Sequence, residues 1–225
     1  MIVDTNALFG LKTDHLQEHS DGFFINTEVD APFKTLKAAA HEAGFDLKPA
    51  SSYRSFERQL AIWNAKFCGV RPILNIDGKV VDIRPLDDWE ICQAIMQYSA
   101  LPGASRHHWG TDIDFYDAKM LPEGYELQLV ESEYDHHGPC AALTHWLMTN
   151  AAQYGFFFPY RHYLGGIACE PWHISYYEVA NRYLSQLKPQ SVAVLLTDTD
   201  IEGKSAILAH IDEIFTRFVT NISDM

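Results

Sequence analysis

Ser105-Arg106-His107-His108-Trp109-Gly110-Thr111-Asp112-Ile113-Asp114 is the stretch from which the rest of the chain can be read. It sets an imidazole, His107, seven residues before a carboxylate, Asp114, with Gly110 between them. Thr111 to Tyr116 alternates as a strand does, so Asp112 and Asp114 fall on one face. Gly110 permits a bend that folds His107 back toward a strand carboxylate. Mixed nitrogen and oxygen donors suit zinc better than magnesium or calcium, which take oxygen shells. The competing reading is a polar turn leading into an edge strand, because zinc needs a third protein ligand.

Working outward, 225 residues suffice for one sizeable domain, or a domain with an appendage. Apolar residues make up 47%, as in an ordinary globular core. Lysine and arginine number 17 against 30 aspartates and glutamates, and the net charge of −13 argues against a nucleic-acid partner. Cys68, Cys92, Cys140 and Cys169 are scattered, which excludes a cysteine-cluster zinc site and speaks against a disulfide scaffold. No run approaches the roughly 18 apolar residues of a membrane span. The first basic residue, Lys12, follows Asp4, so no secretory leader is evident. If Met1 is the natural start, the expected location is cytoplasmic; a removed leader would place the protein in the periplasm or outside the cell.

Along the chain, residues 1–29 read as an irregular lead-in. Asp30 is expected to cap a helix with Pro32 in its first turn, Phe33, Leu36, Ala40 and Ala43 on one face, and Gly44 as its stop. A short strand over 45–48 leads to Ser52-Tyr53-Arg54, and Ser55 caps a helix striped by Phe56, Leu60, Trp63 and Phe67. Arg54 thus stands at a strand-to-helix junction, able to project into a cleft, and Gln59, off the stripe, can point the same way. Asp77-Gly78 suggests a hairpin over 73–83, and a helix follows over 88–98. Residues 119–140 form a polar excursion whose His136-His137 pair reads as solvated loop. Leu143, Leu147, Ala151 and Tyr154 mark a helix closed by Gly155, and Phe156-Phe157-Phe158 a buried strand. Further on, 177–187 is read as helix, 191–196 as a strand, and Ile207 to Phe218 as a last amphipathic helix.

A second polar cluster, Gly165 to His173, lies in an apolar setting, with Pro171 stiffening the link between Glu170 and His173. His107, Asp114 and His173 together supply three ligands and leave a fourth zinc position open, the catalytic arrangement. Glu170 is then placed to take a proton from water and deliver it to a leaving amine. Arg54 can hold an oxyanion or a substrate carboxylate.

Ser105-x-His107-x-x-Gly110-x-x-x-Asp114 followed by Glu170-Pro171-Trp172-His173 resembles the zinc D-alanyl-D-alanine carboxypeptidases of the VanY type. Their group includes VanX dipeptidases, lysostaphin-type endopeptidases and the hedgehog signalling domain. Ser52-Tyr53-Arg54-Ser55 with Gln59 resembles the arginine segment of that family, and Tyr154-Gly155-Phe156 the approach to its second motif. The resemblance covers about residues 30–185. It implies an α+β fold, a small, mainly antiparallel sheet carrying the site with helices around it. It also implies zinc on His107, Asp114 and His173, Glu170 as general base and acid, and Arg54 as the transition-state or substrate arginine. Ser105 becomes a substrate contact, as does Gln59, while Trp172 packs against the site.

Asp112 departs from the pattern, since the family usually has alanine there. It can compete as a ligand, hydrogen-bond a metal histidine, or salt-bridge Arg106; spacing favours Asp114 as the ligand. Residues 186–225 match no motif and read as a packed appendage or a dimer contact. The expected function is removal of terminal D-alanine from peptidoglycan stem peptides. A D,D-dipeptidase or endopeptidase of the same chemistry is one alternative, and a non-catalytic zinc-stabilised binding module is another.

Overall fold

A computed structural model describes residues 2–224. In chain order the elements are helix α1 (Thr5–Leu8), strands β1 (Leu16–Glu18) and β2 (Phe24–Asn26), α2 (Asp30–Glu42), β3 (Leu47–Ser51), α3 (Phe56–Phe67) and α4 (Asp88–Met96). A 3-10 turn, Arg106–Trp109, precedes β4 (Asp112–Asp117), and then come α5 (Ala141–Asn150), β5 (Phe156–Phe157), β6 (His173–Tyr176) and α6 (Tyr177–Gln186). Short helices α7 (Pro189–Thr197), α8 (Lys204–Ala209) and α9 (Ile211–Ile214) complete the chain. β3, β4, β6 and β5 form one sheet in that order, antiparallel throughout, and β1 and β2 form a small second sheet. This is the α+β class that the motifs imply.

The sheet stands between an apolar layer and the polar cluster. Ile113, Phe115 and Ile174 are fully buried, and alternation turns Asp112, Asp114, His173 and Ser175 to the opposite face. α2 buries Phe33, Leu36 and Ala40, with Phe33 6.1 Å ring to ring from Phe156. Trp63 of α3 is fully buried, and its indole N–H donates to the Glu202 carbonyl at 3.1 Å. The last helices therefore sit on the α3 side, and Ser223 N–H reaches the Pro159 carbonyl at 2.8 Å.

Several local expectations need correcting. The first 29 residues are not an irregular lead-in, because they contain α1 and the β1–β2 pair. They also support the site: Asn26 N–H donates to Gly110 O, Trp109 Nε1 to Leu8 O, and Ser52 Oγ to Phe24 O, at 2.9, 3.1 and 2.7 Å. Asp30 does not cap α2. Its carboxylate pairs with His19 Nδ1 at 2.5 Å and Lys34 Nζ at 2.7 Å, and Val29 holds the cap position without a side-chain bond. Ala43 lies past the helix end and is exposed. The 73–83 hairpin is present in a shorter form: Leu74 bridges Val80, Val81 N–H donates to Ile73 O at 2.8 Å and Asn75 N–H to Lys79 O at 2.9 Å, around a turn in which Gly78 N–H donates to Asn75 O at 2.8 Å.

Residues 191–196 are helix, not strand. A short apolar run does not distinguish the two by periodicity. Here Pro189 in the first turn and the burial of Val192 and Leu196, one turn apart, go with helix. The expected last helix divides at His210 into α8 and α9 and ends in a wider turn over Phe215–Val219.

Candidate active site

β4 and β6 bring the two halves of the site together. Their register sets Asp114 opposite His173 and Asp112 opposite Ser175. His107 arrives from the 3-10 turn, and Gly110, at φ +65°, redirects the chain into β4. A Cβ on Gly110 would lie 2.6 Å from Leu16 Cδ2 and 2.8 Å from Asn26 N, so only glycine fits.

Each imidazole is oriented through the nitrogen that faces away from the centre. His107 Nδ1 lies 2.6 Å from the Ser52 carbonyl; since a carbonyl only accepts, Nδ1 carries the proton and Nε2 is free. That Nε2 lies 3.4 Å from Asp114 Oδ2. His173 Nε2 lies 2.8 Å from Asp112 Oδ1, which turns Nδ1 toward Asp114 Oδ1 at 3.0 Å and Glu170 Oε2 at 3.4 Å. One ligand atom from each of His107, Asp114 and His173 falls within a 4.8 Å cluster. Asp114 Oδ1 and His173 Nδ1 are buried without a partner in hydrogen-bonding geometry, an expensive arrangement that a shared cation would relieve. Two imidazole nitrogens and a carboxylate oxygen therefore fit a zinc-type cation with one position open.

Asp112 is occupied elsewhere. Arg106 Nε donates to it at 2.7 Å, Thr111 Oγ1 at 2.5 Å and Ser175 Oγ at 3.0 Å. Burial alone would raise its pKa, but Arg106 and His173 hold the carboxyl well below its ordinary range. Of the options open at the sequence, two are met together: it pairs with Arg106 and orients His173.

Burial pushes His107 down to about 4 despite Asp114, which keeps its ring neutral. Burial also favours neutral His173, but Asp112 and Asp114 outweigh it and raise the ring to about 10. Ligation through Nδ1 requires that extra proton to leave, while the Nε2 proton stays with Asp112. Glu170 is pushed up to about 8, chiefly by burial, with Asp114 adding to the shift and His173 and Arg54 opposing it. The site thus pairs a depressed carboxyl, Asp114, with a raised one, Glu170.

These groups open onto a cavity of about 900 Å³, lined among others by Arg54, Ser105, His107, Asp114, Glu170 and His173. Arg54 Nη1 donates to Gln59 Oε1 at 2.9 Å and Nη2 to Ser51 Oγ at 3.2 Å, in the field of Asp114 and Glu170. Gln59 stands behind it: the residue is fully buried, is not among the lining side chains, and its Nε2 donates to Ala100 O at 2.7 Å. Ser105 is buried on the cavity wall, and Trp172 lines it while packing 5.7 Å from Tyr134, ring to ring. His108 is structural: its Nδ1 donates to Arg54 O at 2.7 Å and its Nε2 accepts from Gly103 N–H at 3.1 Å. His136 and His137 are exposed loop residues.

The sequence model of VanY, D-alanyl-D-alanine carboxypeptidase, matches residues 23–179. The chain belongs to the VanY family. A Haemophilus influenzae protein of uncharacterised function is 45% identical over 105 residues, 45% of this chain and 72% of that one. VanYB in complex with D-alanine-D-alanine superposes with a TM-score of 0.52 at 22% identity, over 84% of this chain and 91% of its own. A mutant of the D,D-pentapeptidase VanY from the VanB-type resistance cassette, in complex with Zn(II), gives 0.52 at 19% identity, over 85% and 88%. At such identities the likeness carries the fold, and the chemistry has to be argued from the residues.

Sequence reasoning missed three site residues. Tyr160 faces the His173 ring at 4.8 Å, Ser175 ties Asp112 to Arg106, and Lys66 lines the cavity from α3. Ser175 was recoverable, since a strand starting at His173 returns to the same face at that position. Tyr160 and Lys66 carry no local signal, because only tertiary packing brings them to the site.

Proposed function

We propose that this chain is a zinc-dependent carboxypeptidase that removes the terminal D-alanine from peptidoglycan stem peptides. The pentapeptide ending in D-Ala-D-Ala is its first substrate, and the tetrapeptide with an L,D bond its second. The observation that carries the reading is the convergence of His107, Asp114 and His173 beside Glu170, in a chain of the VanY family. The unit responsible is residues 30–185, buttressed by residues 1–29 and with 186–225 packed on it.

Zinc on those three ligands would supply a Lewis acid and make water a stronger nucleophile near neutral pH. Glu170 takes the proton as the water oxygen bonds to the scissile carbonyl carbon, and returns it to the nitrogen as the C–N bond breaks. Its raised pKa suits both halves of that exchange. Arg54, its fork held by Gln59 and Ser51, donates to the developing oxyanion. Ser105 lines the wall where the substrate backbone passes. A cavity near 900 Å³ has room for a stem peptide.

Mass spectrometry of stem tri-, tetra- and pentapeptides after incubation with zinc-loaded protein tests the reading. Loss of a single D-alanine supports it. Release of intact D-Ala-D-Ala would instead indicate a dipeptidase or endopeptidase, and zinc binding without turnover a binding module.

A further inference from the structure

The α3 wall of the cavity carries charge that the catalytic roles leave unused. Ile62 and Lys66 line the cavity one turn apart on the same helix face, and Arg71 follows just beyond the helix end. Lys66 Nζ makes one hydrogen bond, to Ser99 Oγ at 2.7 Å, and an ammonium has three donors. Among the described residues no carboxylate pairs with Lys66, Arg71 or Arg54, although the chain has a net charge of −13. Lys66 and Arg71, cations with no carboxylate in contact at the cavity of an acidic protein, are arranged for an anion that arrives with the ligand.

Of the other cations and amides around the cavity, Arg54 and Gln59 have other work, and Arg106 is engaged through two of its three nitrogens, its Nη1 being buried without a partner. Gln59 spends its amide on Arg54 and Ala100 O, and Arg54 stands beside Asp114 and Glu170 where the carbonyl reacts. Arg106 is bound to Asp112 and Ser175. Lys66 is mostly buried, and although burial pushes it down to about 8, it is still largely protonated at neutral pH, so its unfilled N–H groups favour an acceptor.

We propose that Lys66 grips the free carboxylate of the substrate's terminal residue and is the specificity-determining cation of the site. The inference rests on the carboxypeptidase reading and names the group that makes the enzyme a carboxypeptidase rather than an endopeptidase. The carboxylate of the leaving residue is held at Lys66 while the scissile carbonyl of the residue before it lies at Arg54. Arg71, exposed at the rim, adds field without a fixed contact.

The test measures kcat/KM of zinc-loaded full chain on one pentapeptide as free acid and as C-terminal carboxamide, for wild type, Lys66→Met and Lys66→Arg. Loss of a charged hydrogen bond is expected to lower kcat/KM of Lys66→Met on the acid about 10- to 100-fold, mainly through KM. The amide should be cleaved at the wild-type rate, which also reports an intact site, and Lys66→Arg should retain most of the preference for acid. Equal losses on both peptides overturn the proposal, since Lys66 would then act through Glu170 or the fold. A preference for acid that survives in Lys66→Met overturns it too, while leaving the carboxypeptidase reading standing. Indifference of the wild type to amidation, or no cleavage by it, overturns both.

Discussion

Asp112 and Asp114 stand two residues apart on one strand face, and their neighbours give them different work. Asp114 keeps a buried oxygen free beside two imidazoles, whereas Asp112 is bonded to Arg106, Thr111, Ser175 and His173. Asp114→Ala is therefore expected to lose zinc largely, by elemental analysis. Asp112→Asn, which keeps the shape but weakens the grip on His173, should cost about 10- to 100-fold in zinc affinity. The carboxyl of Asp112 lies below its ordinary value, so its stabilisation is present above about pH 4 and is lost as pH falls through the folded pKa. Denaturant titrations at pH 7 and pH 3 should show a smaller acid loss in Asp112→Asn than in wild type; equal slopes would contradict the assignment. Glu170→Gln should keep zinc and fold while turnover falls by about 10²–10⁴-fold, because it removes only the proton transfer. Motif spacing put His107, Asp114, Glu170 and His173 within reach of the sequence. Spacing favoured Asp114 over Asp112 as the ligand; which of the remaining options Asp112 takes was not legible there, because it depends on how Arg106 and Ser175 pack around it.

At the scale of elements, Gly110 joins the 3-10 turn to β4 and presses against the β1–β2 pair. Gly110→Ala combines a positive φ with contacts below 3 Å to Leu16 and Asn26 N, so a stability loss of at least about 1–2 kcal/mol is expected in thermal or chemical denaturation. Zinc affinity should fall with it, since His107 and Asp114 flank the bend; wild-type affinity in a destabilised variant would mean that the N-terminal pair does not position the site. Helices with a clear apolar stripe and a stop, such as α2 and α3, were legible in the sequence. The N-terminal elements were not, because β1 and β2 have only three residues each and are defined by what they pack against. α7 was misread for the opposite reason: its apolar run is strong but too short to show a period.

Over the whole molecule, α3 links the site to the C-terminal helices. One face carries Lys66 to the cavity, and another buries Trp63 against the segment around Glu202. Trp63→Ala is expected to destabilise the chain by about 3–5 kcal/mol in chemical denaturation. A loss below about 1 kcal/mol would show that the C-terminal helices add little to the core. No helix among the described residues is long and apolar enough to cross a membrane. The central claim is that these elements assemble a zinc site that cuts one residue from a peptide's end. Its most direct test is mass spectrometry of the D-Ala-D-Ala pentapeptide incubated with zinc-loaded wild type and zinc-loaded Glu170→Gln. The expected result is a tetrapeptide and free D-alanine with wild type only; an intact pentapeptide, or release of the whole D-Ala-D-Ala dipeptide, would contradict it.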